Sequence, residues 1–442
     1  MRLFRTCPLI VLLLALSFSC RKEDIIIPVP EDSEKSEEVP QQEETPPEDP
    51  YKGVIPQETD SLPEVWIDTP GAVGVSWDKT KWTELCTIEI RATVSGETKS
   101  VFKADSLRLR GRGNTTWWSY PKKPYRFNLT HKANFIGSGE TRKWVLLANW
   151  MDRTLLRNHV AFEAARLTSL EWTPSGIFTE LYLDGKHLGN YWLGEKINVE
   201  KGNFLADYLL EFDTSDGTGG DFQSSRGVSF YSSNGGLPIN VKYPDLDSVK
   251  DPEATVQSAK KALKAIEDAI YSSTWKDAID IDSFADWFLV YELTMNGEPG
   301  HPKSCYMYIR DGKLYAGPVW DFDWGTYPAS NSGRMKSFVN ASYLYYKRLL
   351  SIPEFKTRLK ERWRSLRNQF ATLPGFIDRE AAKIEESEAV NHLMWDCYPN
   401  PSGDENGFVN YDENLSFQDA VTTLKGSIAA RINSLNSLIN NL

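Results

Sequence analysis

Residues 317–325 read GPVWDFDWG, with Asp321 and Asp323 two apart inside an apolar frame. Buried carboxylates need a partner, and a divalent cation is the obvious one. Mg²⁺ is held by one or two carboxylates together with water and phosphate oxygens. If a strand ran on through this stretch, both acids would share one face and Phe322 would take the other. The competing reading has Asp321 at a turn and Asp323 capping the next segment. Just upstream, NGEPGHPKSCYMY gathers Asn296, Glu298, His301, Lys303 and Ser304 in one polar loop, the sort of place a general base occupies beside a metal.

Farther upstream, LRLRGRGNTTWWSYPKKPYRFNL sets Gly111 and Gly113 after a strand, among Arg108, Arg110, Arg112, Lys122, Lys123 and Arg126. A glycine turn lets backbone N–H groups approach a phosphate, and the cations neutralise it. The alternative is a plain β-turn beside a solvated basic strand, since neither a third glycine in dinucleotide register nor a G-K-[ST] follows. Glu163 on a helix and Glu195 at a strand end, next to Lys196, are candidates to hold a phosphate-orienting cation; as surface ion pairs they would contribute only about 0–1 kcal/mol. The five histidines show no H-E-x-x-H spacing, which argues against zinc, and no G-x-S-x-G elbow supports acyl transfer. Cys86, Cys305 and Cys397 are far apart and odd in number, unlike a disulfide framework or a zinc site; one bridge at most could form.

These groups need elements to position them. VWIDTP, CTIEIRATV, SLRLRG and PYRFNL read as strands. TLLRNHVAFEAARL reads as a helix capped by Asp152, with Leu156, Val160 and Leu167 on one side. Asp184-Gly185 and Asp311-Gly312 mark hairpins, the second running straight into Asp321. DPEATVQSAKKALKAIEDAI is a helix capped by Asp251 with Pro252 in its first turn; another starts at Asp282. Residues 213–236, rich in Gly, Ser and Asp, read as a mobile loop. ASYLYYKRLLS, PEFKTRLKERWRSLRNQF and SFQDAVTTLKGSIAARINSLNSLI make the C-terminal third helical. The expected fold is therefore α+β: a β-rich lobe over 61–212 and a helical lobe over 237–442 within one domain, 61–442.

The chain has 442 residues and a net charge of −11. Residues 1–20 carry Arg2 and Arg5, a short apolar run and Ser17-Phe18-Ser19-Cys20, the pattern of a bacterial lipoprotein signal cleaved before a lipid-bearing Cys20. Residues 21–60 hold 13 acids against 4 bases and read as a disordered tether. That stretch accounts for −9 and the signal for +2, leaving −4 for 61–442. With no dense basic tract, nucleic acid is not an expected partner. The expected location is the cell envelope, with the chain lipid-anchored to a bacterial membrane at the outer membrane or cell surface.

RLRGRGNTTW, KKPYRFNL, LLANWMDRTLLRNHVAFEAAR, TELYLDGKHLGNYWLGEKI, LLEFD, VKYPD and GPVWDFDWG, in this order over about residues 64–330, resemble the spore-coat protein H (CotH) kinase family. The resemblance implies a divergent, two-lobed protein-kinase-like fold that uses ATP with Mg²⁺ or Mn²⁺ and phosphorylates Ser or Thr of an exported or surface protein. It implies that Asp321 holds the metal with Asp323 beside it and Ser304 as a further ligand. Arg110, Gly111, Arg112 and Gly113 would cover the nucleotide. Lys123 or Arg126 would orient the phosphates and pair with Glu195 or Glu163, and the loop containing Asn296 and Glu298 would be catalytic. Many members have aspartate where this chain has Glu298, and asparagine where it has Ser304. Two other readings stand beside this one: a surface glycan-binding or glycan-processing lipoprotein, whose paired acids at strand spacing lie about 7 Å apart, and an inactive pseudokinase-like scaffold.

Overall fold

The computed structural model describes residues 53–200, 203–215, 229–395, 412 and 414–442. The signal with Cys20, most of the tether, residues 216–228 of the Gly/Ser-rich stretch and Cys397 lie outside the described residues.

Seven strands close into a barrel: β1 (Glu64–Asp68), β2 (Thr83–Val94), β3 (Glu97–Gly111), β4 (Tyr125–Ala133), β5 (Thr141–Leu147), β6 (Gly176–Leu183) and β7 (Lys186–Glu195), in the order β1-β2-β3-β4-β5-β7-β6. A parallel β1–β6 pairing seals it while its other neighbours run antiparallel. Closure leaves no open edge. Alternation along β3 sends Leu107, Leu109 and Gly111 into the barrel core and Arg108 and Arg110 to the opposite face. The tether ends earlier than its composition suggests: Ile55 is buried in this core, and its N–H donates to the Phe135 carbonyl at 2.7 Å. Gly-Val-Ile at 53–55 is the one apolar triplet near the end of that polar stretch, and burying it outweighs the surrounding polarity.

A second sheet has the order β12-β11-β8-β10-β9, built from β8 (Tyr208–Phe212), β9 (Ser229–Tyr231), β10 (Pro238–Tyr243), β11 (Cys305–Arg310) and β12 (Lys313–Ala316). The stretch read as one loop, 213–236, therefore contains a strand, β9, whose Phe230 is buried in the core. Asp184 and Asp311 take φ of 50° and the glycines after them 74°, the left-handed pair that a tight hairpin requires.

The helices are α1 (Thr115–Trp118), α2 (Arg157–Arg166), α3 (Pro252–Ile270), α4 (Trp275–Ala278), α5 (Ile281–Thr294), α6 (Tyr346–Leu349), α7 (Pro353–Phe370), α8 (Leu373–Trp395) and α9 (Phe417–Asn440). Asp251 caps α3 by accepting from the Ala254 N–H at 2.9 Å. Asp152 accepts from the first N–H of α2, at Arg157, at 2.7 Å. Helix α5 begins two residues earlier than expected, because Asp280 rather than Asp282 accepts from the Ser283 N–H. It is buried nearly all round and serves as the axis of the larger core.

The glycine turn is packed tightly. A Cβ on Gly111 would stand 2.5 Å from the buried Trp117 ring. Gly111→Ala is therefore expected to destabilise the protein by about 1–3 kcal/mol, read as a lower urea midpoint. An unchanged midpoint would show that the turn has slack.

Candidate functional site

A cleft of about 870 Å³ opens between the barrel wall and the second sheet. Its lining gathers Arg110, Gly111, Arg112, Gly113 and Arg126 from the glycine turn and its strands, Glu298 and Ser304 from the polar loop, and Asp321 and Asp323. All nine of these residues were pointed to by types and spacing in three separate parts of the chain, and the fold brings them together.

Asp321 reaches the cleft by a different route from the one expected. Strand β12 stops at Ala316, a cis Gly317-Pro318 bond follows, and Asp321 sits in loop backbone with φ 68°. Proline cannot donate to a ladder, so the strand ends before the acids. The two carboxyl groups nonetheless meet. Burial pushes Asp323 well above the usual carboxylate range, with Asp321 against it and Asp152 nearby adding to the rise. Two abutting carboxylates cannot both stay ionised unless a cation lies between them. Phe322 between them points into the core, and its N–H donates to Asn158 Oδ1 at 2.7 Å. Trp320 is buried and stacks on Phe162, so it packs rather than presents a face.

Glu298 is the second conspicuous acid. Its Oε2 is buried, with no hydrogen-bond partner among the described residues, and the His301 Nε2 is 3.7 Å away. Burial pushes its carboxyl well above the ordinary range, and Asp321 adds to the rise while Lys303 opposes it. Asn296 does not reach the cleft. Its Nδ2 donates to the Asp321 carbonyl at 2.9 Å, and its Oδ1 accepts from the Glu298 N–H at 2.9 Å. It clamps the two acid-bearing segments together rather than facing a ligand.

Three further expectations are corrected by geometry. Lys123 is taken up by local carbonyls: its Nζ donates to Trp117 O and Tyr120 O. A lysine drawn into capping short helix α1 cannot also orient a phosphate. Glu195 is buried away from that lysine and accepts from Ser138 Oγ at 3.0 Å and the Ser175 N–H at 3.1 Å. Glu163 pairs with Arg166 one turn along its own helix, at 3.0 Å.

Sequence reasoning gave no role to two lysines that line the cleft. Lys196 follows directly on β7, and its amine is held down to about 7 by burial, with Lys242, Lys143 and Arg112 pushing the same way. Lys242 on β10 bonds Glu211 on β8 at 2.9 Å. Burial would lift Glu211, but Lys242 and the Tyr306 hydroxyl hold it below the ordinary value. Asp213 is pushed up to about 6, first by burial and then by Glu211. Arg112 lies over the Trp320 ring at 5.4 Å, within the field of Asp321, Asp323 and Glu211. The signal for the Lys242–Glu211 pair was the alternation in YLLEF and PINVKY, which places Glu211 and Lys242 on neighbouring strands; neither segment was assigned as a strand. On the other side, Leu147, Ile197, Val199, Leu209 and Val241 form an apolar slot.

The site thus combines paired carboxylates, a cluster of cations, an unpartnered buried acid and an apolar slot. The CotH kinase protein model matches residues 107–435, most of the chain. The chain belongs to the CotH kinase family. None of the curated proteins compared matches it. The matched span of this CotH-family chain takes in the whole carboxylate and cation set of the cleft. Membership makes it a kinase-like protein. Among the described residues no group of three or more His, Cys, Asp and Glu side chains stands close enough to hold a metal, so a cation here would have two carboxylates at most. That suits Mg²⁺ or Mn²⁺ completed by phosphate and water oxygens, and the mutual strain of Asp321 and Asp323 is what such an ion would relieve.

Proposed function

We propose that this CotH-family protein is an atypical kinase in a two-lobed, kinase-like arrangement, transferring a phosphoryl group to Ser or Thr of an exported or surface protein. The observation that carries the reading is the abutting Asp321–Asp323 pair facing Arg112 across a cleft that also holds Lys196 and Lys242. When bound, ATP with Mg²⁺ or Mn²⁺ would supply the phosphoryl group and neutralise its charge. Asp321 and Asp323 would hold the ion, with Ser304 close by. Arg112, Lys196 and Lys242 would take phosphate oxygens, and the apolar slot would take the base. Glu298 would accept the proton of the acceptor hydroxyl as the hydroxyl oxygen bonds to the γ-phosphorus and the bond from that phosphorus to the departing ADP breaks. Burial is the larger cause of the rise at Glu298, and neutralising Asp321 would remove the chief charge that adds to it, which favours the carboxylate form needed for that role. We also place the chain at the cell envelope, anchored to a bacterial membrane through lipid on Cys20.

A second reading, glycan binding, is favoured by Trp77 and Trp118, which are 60% and 40% exposed and meet edge to face at 5.6 Å. A third is a scaffold that keeps the fold without the chemistry, suggested by Glu298 and Ser304 standing where many members have Asp and Asn. Phosphate transfer from labelled ATP to a generic protein acceptor, lost in Glu298→Gln, supports the kinase. Nucleotide binding without transfer supports the scaffold, and binding of glycans alone supports the second reading.

Lys196 adds a pH signature. It is charged below about 7 and neutral above, so its contribution to phosphate binding is present at low pH and lost as pH rises through that value. A charged hydrogen bond is worth about 1.5–3 kcal/mol. Between pH 6 and 8.5 the wild type should therefore lose about 10-fold more ATP affinity than Lys196→Arg, which stays charged. The nucleotide's own ionisation is common to both proteins. Parallel pH profiles would remove Lys196 from the phosphate site.

A further inference from the structure

We infer that Arg108, Arg110 and Arg126, gathered on Trp82, form a second anion site that receives an acidic, Asp- or Glu-bearing segment of the acceptor protein. This rests on the kinase reading only for the word acceptor; the binding itself does not require it.

The three guanidinium groups lie 4.5, 4.4 and 4.9 Å from the Trp82 ring centre. Arg110 and Arg126 stand directly opposite one another across the β3–β4 ladder, a placement of like charges that is unfavourable in a sheet. Arg110 donates through one nitrogen to the Thr80 carbonyl at 2.9 Å. The Nε atoms of Arg110 and Arg126 are buried, with no partner among the described residues. Nor does any of the three form an ion pair among those residues. Several other arginines among the described residues are matched: Arg157 with Asp152, Arg358 with Asp282, Arg362 with Asp286 and Arg431 with Glu292. The tryptophan offsets part of the repulsion through its ring face; Arg108 gives one nitrogen to the Asn128 side chain at 3.1 Å, and the remaining donor edges are available to a carboxylate or other oxyanion.

The position separates this site from the phosphates. Arg112 is the member of the row that faces Asp321 and Asp323. Arg108 lies four residues back along the chain, about 13 Å away at the rise of a strand. A nucleotide held at Arg112 and Lys196 leaves this far end of the cleft open to another ligand. Asp245 and Asp247 also line the cleft, and Asp247 acts on Arg110. Those acids would repel a continuous polyphosphate such as a nucleic acid, whereas a protein segment can set one or two carboxylates between them and turn away. The −4 balance of residues 61–442 likewise gives no general attraction for polyanions.

The test uses the full chain and fluorescein-labelled peptides read by anisotropy without nucleotide: a serine flanked by glutamates, the same serine flanked by glutamines, and one flanked by lysines. The glutamate peptide should bind at least 10-fold tighter than the glutamine peptide, and added salt should abolish the difference. Arg108→Gln should remove most of the preference while ATP affinity, measured separately, stays within twofold. Arg108→Glu should shift preference toward the lysine peptide, a gain that no misfolded protein can imitate. Equal binding of the three peptides by the wild type would overturn the inference. So would a loss of ATP affinity that matches or exceeds the loss of peptide binding, which would assign the wall to the nucleotide. Because no nucleotide is present in the peptide arm, failure of the kinase reading would leave its result standing.

Discussion

Asp321→Asn should abolish metal-dependent nucleotide binding and cut phosphoryl transfer by about 100-fold or more, the scale seen when a preorganised charge is removed from a reacting centre. The substitution is chosen for the backbone. Asp321 has φ 68°, a conformation that asparagine adopts more readily than most residues. The Asn296 clamp grips the carbonyl of residue 321 rather than its side chain, so it survives the change. What disappears is one negative charge facing Asp323. With its neighbour neutral, Asp323 loses the second-largest cause of its raised protonation, and the protein should be at least as stable without ligand. Equal or higher stability combined with lost activity separates a ligand-binding carboxylate from a structural one.

Arg431→Ala should produce the largest loss of stability in the helical part of the molecule. Arg431 on α9 and Glu292 on α5 are both fully buried and bonded at 2.6 Å. The same guanidinium donates to the carbonyls of Glu292 and Met335 at 2.8 and 2.9 Å, and Glu292 also accepts from the Val339 and Asn340 N–H groups. Asn340 in turn donates to the Asn296 carbonyl at 3.0 Å, which ties this network to the loop that carries Glu298. Removing one member of a buried ion pair leaves the other charge without compensation and costs about 3–5 kcal/mol, a large share of a typical stability of about 5–15 kcal/mol. Urea unfolding measures it directly. A loss below 1 kcal/mol would mean that water reaches Glu292. Arg431→Met with Glu292→Leu should recover much of the loss, since the destabilisation arises from the orphaned charge.

Local signals were readable wherever one residue type decides the backbone. Asp184-Gly185 and Asp311-Gly312 made their turns, Asp251 its cap, and the alternating runs of β1 to β4 their strands. Interactions between distant segments were not. Nothing in β1 announces its parallel pairing with β6, which closes the barrel. Strand β5 and the short strands β8 and β10 carry little turn punctuation, so RKWVLL, YLLEF and PINVKY passed without assignment, and Lys242 and Glu211 passed with them. Helix α8 was missed although Leu373, Ile377, Ala381 and Ile384 are spaced for one buried face. In the site, the acids and glycines were found because their types are unusual in their settings. The lysines were misread because a lysine's role depends on which carbonyl or carboxylate it meets. Lys123 met two carbonyls of its own turn; Lys196, next to the suspected Glu195, met the cleft.

The most direct test is the thermal shift of the purified protein with ATP and Mg²⁺ or Mn²⁺, compared between wild type and Asp321→Asn. At a ligand concentration 100-fold above Kd, binding to the native state alone contributes about 2.7 kcal/mol. The wild type should gain several degrees only when nucleotide and metal are both present, and Asp321→Asn should gain none. A wild type that no nucleotide stabilises, or an Asp321→Asn variant stabilised as much as wild type, would contradict the assignment of this cleft to a metal-bound nucleotide.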